Sequence, residues 1–219
     1  MNIKPDFLTL SKPAAIEYVV QKSRFIGAAS PVFTEEEALS HIRRQRSDYK
    51  AASHYCYAYI IGDNAGIMRY QDDGEPGGTA GMPILEALRH QKIVNACVVV
   101  TRYFGGILLG AGGLTRAYSH TASEAIKAAG LALVEQSIRL TVLAGYPHWD
   151  KLEYLLSQRP VMQVEKEFST QVLVSMVVRQ KEAPALAREM MDITMGTANV
   201  EFSNPFPWQW PVADESLNL

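Results

Sequence analysis

The second half of the chain carries the pattern that most constrains the fold. Four segments alternate apolar and polar residues with a period of two, and two segments with helical apolar spacing lie among them. The strand-like segments begin near Ile138, Met162, Val172 and Ala198. This alternation predicts strands in a sheet that has one covered face. The order β-α-β-β-α-β within about 65 residues matches the split βαβ motif, so we expect a ferredoxin-like domain.

The first half predicts a separate α+β domain. Strand-like runs occupy residues 14–20, 25–32, 53–61, 67–71 and 93–101. Helical segments begin near Thr34, Thr79 and Leu114, each threonine being the expected cap of its helix. The run 93–101 is apolar on both faces, which is typical of a central strand covered on both sides.

These patterns divide the chain into three segments. We expect one domain over residues 1–134, the ferredoxin-like domain over 135–203, and a tail rich in Pro and Trp over 204–219. The prolines of the tail exclude a helix or a central strand. Trp208 and Trp210 are consistent either with docking to a partner or with folding back onto the chain.

Charge and cysteine content restrict the function classes. The net charge of the 219 residues is -2, so binding to nucleic acid requires a local basic patch. Cys56 and Cys97 lie in apolar runs and are interpreted as small buried hydrophobes in a reducing compartment. We find neither a signal peptide nor a membrane span, and we therefore expect a cytoplasmic protein without a membrane partner.

An acidic, glycine-rich loop is the first candidate site. Its polar and glycine residues are Asp72, Asp73, Glu75, Gly77, Gly78 and Thr79. Three carboxylates in four residues are consistent with a hard cation, or with a turn whose carboxylates accept backbone amides near a helix start. We favour the turn, and predict neither a metal nor a cofactor.

Glycines and cations elsewhere suggest a phosphate-binding surface. The glycine-rich stretches 72–81 and 105–113 each precede a helix, but neither is a Walker A loop or a dinucleotide fingerprint. The predicted residues for binding nucleic acid or phosphate are Lys22, Arg24, His54, Arg102, Gly105, Gly106 and Arg116. Arg69 and Lys92 are further candidates, and scattered solvated charge is the alternative.

A thiol–imidazole pair is the last candidate. His54 and Cys56 are two residues apart on a predicted strand, so their side chains share a face. A catalytic pair also needs exposure and a third, orienting group, and the sequence indicates neither. We therefore interpret Cys56 as a core residue and expect no catalytic residues.

Three motifs resemble the Impact family, in particular its bacterial YigZ-type members. They are Lys-Ser-Arg-Phe at 22–25, the segment 72–81, and the segment from Arg102 to Tyr118. The resemblance implies a first domain like domain 2 of ribosomal protein S5, and a role in translation regulation. We thus expect binding of RNA or a ribosome-associated protein, and catalysis is disfavoured. The alternative is a small-molecule enzyme that binds a phosphorylated ligand at the glycine-rich loops.

Overall fold

The computed structural model of the chain describes residues 6–212, which form two compact units. The first unit comprises the described residues up to Val134 and those from Gln209 onward, and the second runs from Glu135 to Trp208. Antiparallel sheets and helices occur in both, which confirms the predicted two-domain α+β class. Among the described residues, no helix is both long and apolar enough to cross a membrane.

A five-stranded antiparallel sheet forms the centre of the first unit. The strands of this unit are β1 (Phe7–Leu10), β2 (Ala14–Val20), β3 (Ser23–Pro31), β4 (His54–Ile61), β5 (Ile67–Gln71) and β6 (Ala96–Tyr103). Within the sheet the order is β2-β3-β6-β4-β5, so β6 is central, as its apolar sequence predicts. Strand β1 pairs instead with residues 131–134, the beginning of β7 (Leu131–Ala144).

Three helices cover the two faces of this sheet. They are α1 (Glu35–Asp48), α2 (Gly81–His90) and α3 (Gly110–Ala129). Helices α2 and α3 pack on the face that carries Val98 and Val100, whereas α1 packs on the face of Cys97 and Val99. Because both faces are covered, β6 is buried from Ala96 to Arg102.

Thr34 caps the start of α1, as its sequence predicts. The hydroxyl oxygen of Thr34 accepts a hydrogen bond from the Glu37 amide at 3.1 Å. The Glu37 carboxylate accepts from the amide of Phe33 at 2.6 Å, one residue before the cap. Two amides near the helix start are therefore satisfied by side chains.

The second unit has the ferredoxin-like order of strands. After β7 come α4 (Trp149–Ser157), β8 (Met162–Phe168), β9 (Val172–Arg179), α5 (Ala183–Ile193) and β10 (Asn199–Phe202). The antiparallel order β10-β7-β9-β8 is that of the split βαβ motif. One face of the sheet packs against both helices, with Leu140, Met176 and Met190 in the core.

The tail contains a further strand, β11 (Phe206–Pro211), which pairs with β7. Trp210 is buried, so this tryptophan folds back onto the chain instead of presenting its ring to solvent. Pro207 and Pro211 lie within the strand, and both are exposed. The tail residues 213–219 lie outside the described residues.

Candidate functional site

The acidic loop after β5 fixes the start of α2 through Asp72. One oxygen of its carboxylate accepts from the amides of Ala80 and Gly81 at 3.1 and 2.8 Å, and the other accepts from Gly78 at 2.9 Å. The helix begins at Gly81, and Thr79 makes no capping bond because its hydroxyl donates to the carbonyl of Pro76. The prediction that Thr79 caps this helix is therefore wrong, since Asp72 supplies the cap from upstream.

The second acid of the loop, Asp73, also accepts hydrogen bonds through its carboxylate. Its carboxylate accepts from the guanidinium of Arg46 at 2.8 Å and from the amide of Tyr55 at 2.7 Å. The backbone of Asp73 has a φ of 47°, a strained left-handed value that these two bonds stabilise. Asp72 and Asp73 thus satisfy amides and an arginine, as in the turn interpretation, and the described residues contain no metal-binding cluster of acids, His and Cys.

Glu75 lies at the centre of a buried polar network. A single oxygen of its carboxylate accepts from Arg102 Nη1 at 2.6 Å and from the Tyr118 hydroxyl at 2.7 Å. The side chains of Glu75 and Arg102 are only 3% and 6% exposed, so this ion pair is shielded from water. Burial raises the pKa of the Tyr118 phenol, which keeps it a proton donor to Glu75.

His54 is oriented by the same loop. Its Nδ1 lies 2.8 Å from the carbonyl oxygen of Asp73, and because a carbonyl only accepts, Nδ1 carries the proton when the ring is neutral. Its Nε2 lies 3.9 Å from Glu75. The neutral imidazole is therefore held in one tautomer, in which Nε2 is left to accept a hydrogen bond.

Cys56 does not form a reactive pair with His54. Its Sγ lies 3.0 Å from the carbonyl oxygen of Asp72 and 3.4 Å from the Tyr118 hydroxyl. Burial raises the pKa of the Cys56 thiol to about 12, and the thiolate is absent near neutral pH. Cys97 is also buried, with a raised pKa, so both cysteines are the core residues that the sequence predicts.

The start of β3 and the end of β6 pair with each other beside this network. Ser23 Oγ accepts from Arg102 Nη2 at 3.4 Å and from the amide of Gly105 at 3.2 Å. A Cβ added at Gly105 would lie 2.0 Å from the carbonyl carbon of Lys22, so only glycine fits this close approach. Lys22 itself is exposed, and its neighbour Arg24 pairs with Glu17 at 2.8 Å.

The second glycine-rich stretch differs from its prediction because its last four residues, 110–113, are already helical. Helix α3 begins at Gly110 instead of Leu114, with no side-chain cap and no acid in its first turn. Arg116 lies over this turn, since a Cβ added at Gly112 would be 3.8 Å from its Nη1. Among the described residues, this helix start therefore combines amides that no side chain caps with a nearby cation.

These elements surround a cleft of about 440 Å³ in the first unit. His54, Glu75 and Arg102 contribute its polar part. The apolar part consists of Phe104, Leu108, Leu109 and Leu114, and the backbone of residues 110–111 also borders the cleft. A concave apolar site with a few convergent polar groups is typical of ligand binding.

The predicted site residues are only partly brought together. His54, Glu75 and Arg102 line the cleft, and Lys22, Gly105 and Arg116 lie on the segments beside it. Arg102 is buried and paired, so it belongs to the cleft and not to an exposed basic patch. Arg24 is exposed but paired with an acid, while Arg69 and Lys92 do not line the cleft.

Several residues of the cleft were not predicted from the sequence. They are Ser53, Phe104, Leu108 and Leu109. The sequence feature that could have indicated these residues is the apolar run 107–109 inside a glycine-rich stretch. Several large apolar side chains grouped in an exposed loop are typical of a binding surface. Leu108 is in fact 84% exposed and Phe104 48% exposed.

Comparison with known proteins identifies the family. Residues 21–126 match the Impact N-terminal domain, and residues 142–197 match a domain of unknown function, DUF1949. The chain is 38% identical over 195 residues to the IMPACT family member YvyE of Bacillus subtilis, covering 89% of this chain and 90% of that protein. It is 28% identical to YigZ of Escherichia coli, covering 87% and 95%. The chain therefore belongs to the IMPACT family, as its motifs predict.

A solved structure supports the same fold. A crystal structure described as that of a hypothetical protein superposes with a TM-score of 0.58 at 27% identity. The similarity covers 89% of this chain and 96% of the other. The two-domain α+β architecture is therefore shared along nearly the whole length of both proteins.

Proposed function

We propose that the protein is a translation-linked regulatory protein whose first unit binds RNA or a ribosome-associated partner. The binding surface comprises the starts of β3 and α3 and the end of β6, and we call it the β3–α3 surface. The translation link is carried over from the family resemblance. The charges of this surface support contact with an anionic partner.

One observation carries this proposal: the acids near the surface are satisfied internally, whereas two cations are not. Asp72, Asp73 and Glu75 are occupied by amides, tyrosine and arginine. Within residues 6–212, neither Lys22 nor Arg116 forms an ion pair. The local charge is thus positive although the whole chain carries -2, and positive patches attract phosphate backbones.

The test is a salt titration of RNA binding by fluorescence anisotropy. We expect binding at low salt that weakens steeply as salt rises, because phosphate contacts release counterions. Arg116→Ala and Lys22→Ala should each reduce the slope of log affinity against log salt by about 0.7 per lost contact to a single strand. If the partner is a ribosome-associated protein instead of RNA, co-sedimentation of the same variants with ribosomes tests the binding.

A control comes from the far end of the same helix. Lys127 lies 11 residues beyond Arg116 on α3, roughly 16 Å away along the helix axis. Lys127→Ala should leave the slope unchanged. If wild-type protein binds neither RNA nor ribosomes at low salt, the proposed function is wrong.

The cleft supports a second candidate, a small-molecule enzyme that binds a phosphorylated ligand. His54 is held in one tautomer beside Glu75 at a concave site, as a general acid or base would be. Such a ligand at 100 times its dissociation constant should stabilise the protein by about 2.7 kcal/mol. A thermal-shift screen of nucleotides and sugar phosphates measures this stabilisation. His54→Asn should then abolish turnover of any compound that stabilises the protein.

A further inference from the structure

The cleft has an apolar wall that remains open to solvent. Leu108 and Phe104 are 84% and 48% exposed, and both line the same cavity. Large exposed apolar side chains that line a cleft with a few convergent polar groups are typical of a ligand-binding surface. An exposed apolar wall of this kind favours a ligand that has an apolar face.

The same region offers flat groups on which a ring can stack. The guanidinium carbon of Arg102 lies 5.5 Å from the centre of the Phe104 ring, and this ring is 48% exposed at the cleft. Planar guanidinium and aromatic groups are the surfaces that hold unstacked bases of RNA. His54, whose Nδ1 is engaged by the Asp73 carbonyl, supplies its Nε2 as a hydrogen-bonding group for a base edge.

An anion-binding feature borders the cleft on its other side. Helix α3 starts there with uncapped amides and no acid, and the Arg116 guanidinium lies over Gly112. Arg102, 5% exposed, also has a buried Nε without a hydrogen-bond partner in the described structure. A phosphate satisfies free amides at a helix start and is favoured by the helix dipole.

We propose that the cleft receives one unstacked base of single-stranded RNA, with an adjacent phosphate at the start of α3. This inference rests on the proposed RNA-binding function and specifies the form of RNA. A flat apolar group next to a phosphate is the chemistry of a nucleotide unit, whereas a protein side chain brings no such anion. A-form duplex RNA keeps its bases paired and stacked, so it has no base to insert.

The experiment compares anisotropy binding curves of one labelled oligonucleotide, single-stranded and in a perfect duplex. Phe104→Ala should weaken single-strand binding roughly 5- to 150-fold, the range for loss of one stacked base, and leave duplex binding unchanged. Phe33→Ala is the matched control, because Phe33 is 46% exposed in the same unit but does not line the cleft. Leu108→Ser is a second test that does not disturb the Arg102 stack, and melting curves verify that each variant folds.

The outcomes separate the two proposals. Preference for the single strand, lost in Phe104→Ala and kept in Phe33→Ala, supports the inserted base. Equal affinity for single-stranded and duplex RNA overturns the inserted base. Equal affinity of Phe104→Ala and Phe33→Ala for the single strand also overturns it. Both results leave the proposed RNA-binding function intact. A free nucleoside monophosphate that binds as tightly as the oligonucleotide overturns it in favour of a small-molecule site. Loss of ribosome co-sedimentation in Phe104→Ala, with RNA affinity unchanged, overturns it in favour of a protein side chain.

Discussion

Replacing Glu75 by glutamine should destabilise the first unit strongly, because the substitution removes the charge that neutralises Arg102. Both side chains are almost fully buried, and they meet at 2.6 Å. An arginine cannot lose its proton to escape burial, so its charge would remain inside the protein without a counter-charge. The amide of glutamine retains a hydrogen-bond acceptor but not the negative charge.

The expected magnitude follows from the burial of the pair. Removing one partner of a buried ion pair costs about 3–5 kcal/mol. With a urea dependence of roughly 2 kcal/mol per M, the midpoint of unfolding should fall by about 2 M. Urea denaturation followed by circular dichroism measures this shift.

An exposed pair in the same unit provides the control. Glu17 and Arg24 are 2.8 Å apart but about half exposed, so Glu17→Gln should cost only about 0–1 kcal/mol. Tyr118→Phe should give an intermediate loss of about 1.5–3 kcal/mol, since it removes one hydrogen bond to the buried carboxylate. If Glu75→Gln lowers the midpoint no more than Glu17→Gln, Glu75 does not neutralise Arg102 in a buried pair.

Four further predictions concern the loops and the thiol. Asp72→Ala should lower the unfolding free energy by about 1–2 kcal/mol, and by more than Thr79→Ala, because the Asp72 carboxylate bonds the amides of the helix start and the Thr79 hydroxyl does not. Gly105→Ala should lower the melting temperature by several degrees, while Gly77→Ala, whose added Cβ meets nothing within 4 Å, should change it little. Cys56, with its pKa raised to about 12, should react with iodoacetamide near pH 8 far more slowly in native protein than in urea, as mass spectrometry can follow. Because the folded pKa exceeds the unfolded one, the stability contributed by the Cys56 thiol should be present below about pH 9 and lost as pH rises toward 12.

The architecture follows from local patterns, and for that reason it could be predicted. Period-two alternation identified the strands of the second unit, and the apolar run around Val98 identified the central strand of the first. Gly130 ends α3 with a φ of 66°, as a glycine after a helix is expected to do. Each of these signals depends on residues close together in sequence.

The details of the cleft depend on distant residues, which a single sequence does not pair. Arg102 and Glu75 are separated by 27 positions, and the buried pair exists only because β6 and the acidic loop meet in the fold. The cap of α2 comes from Asp72, eight positions before Ala80, which is too far for a local capping pattern. Helix α3 includes Gly112, because the burial of Leu114, Ala117 and Tyr118 further along the helix outweighs the low helix propensity of glycine.

Photo-crosslinking of bound RNA tests the location of the binding surface most directly. Single-stranded RNA that carries a photoreactive uridine would be irradiated with wild-type protein, and the crosslinked peptides would be identified by mass spectrometry. We expect the crosslinks to fall on residues 103–114 and on the strand end at His54, which border the cleft. Crosslinks confined to the second unit, or to α1 on the opposite face of the sheet, would contradict binding at the β3–α3 surface.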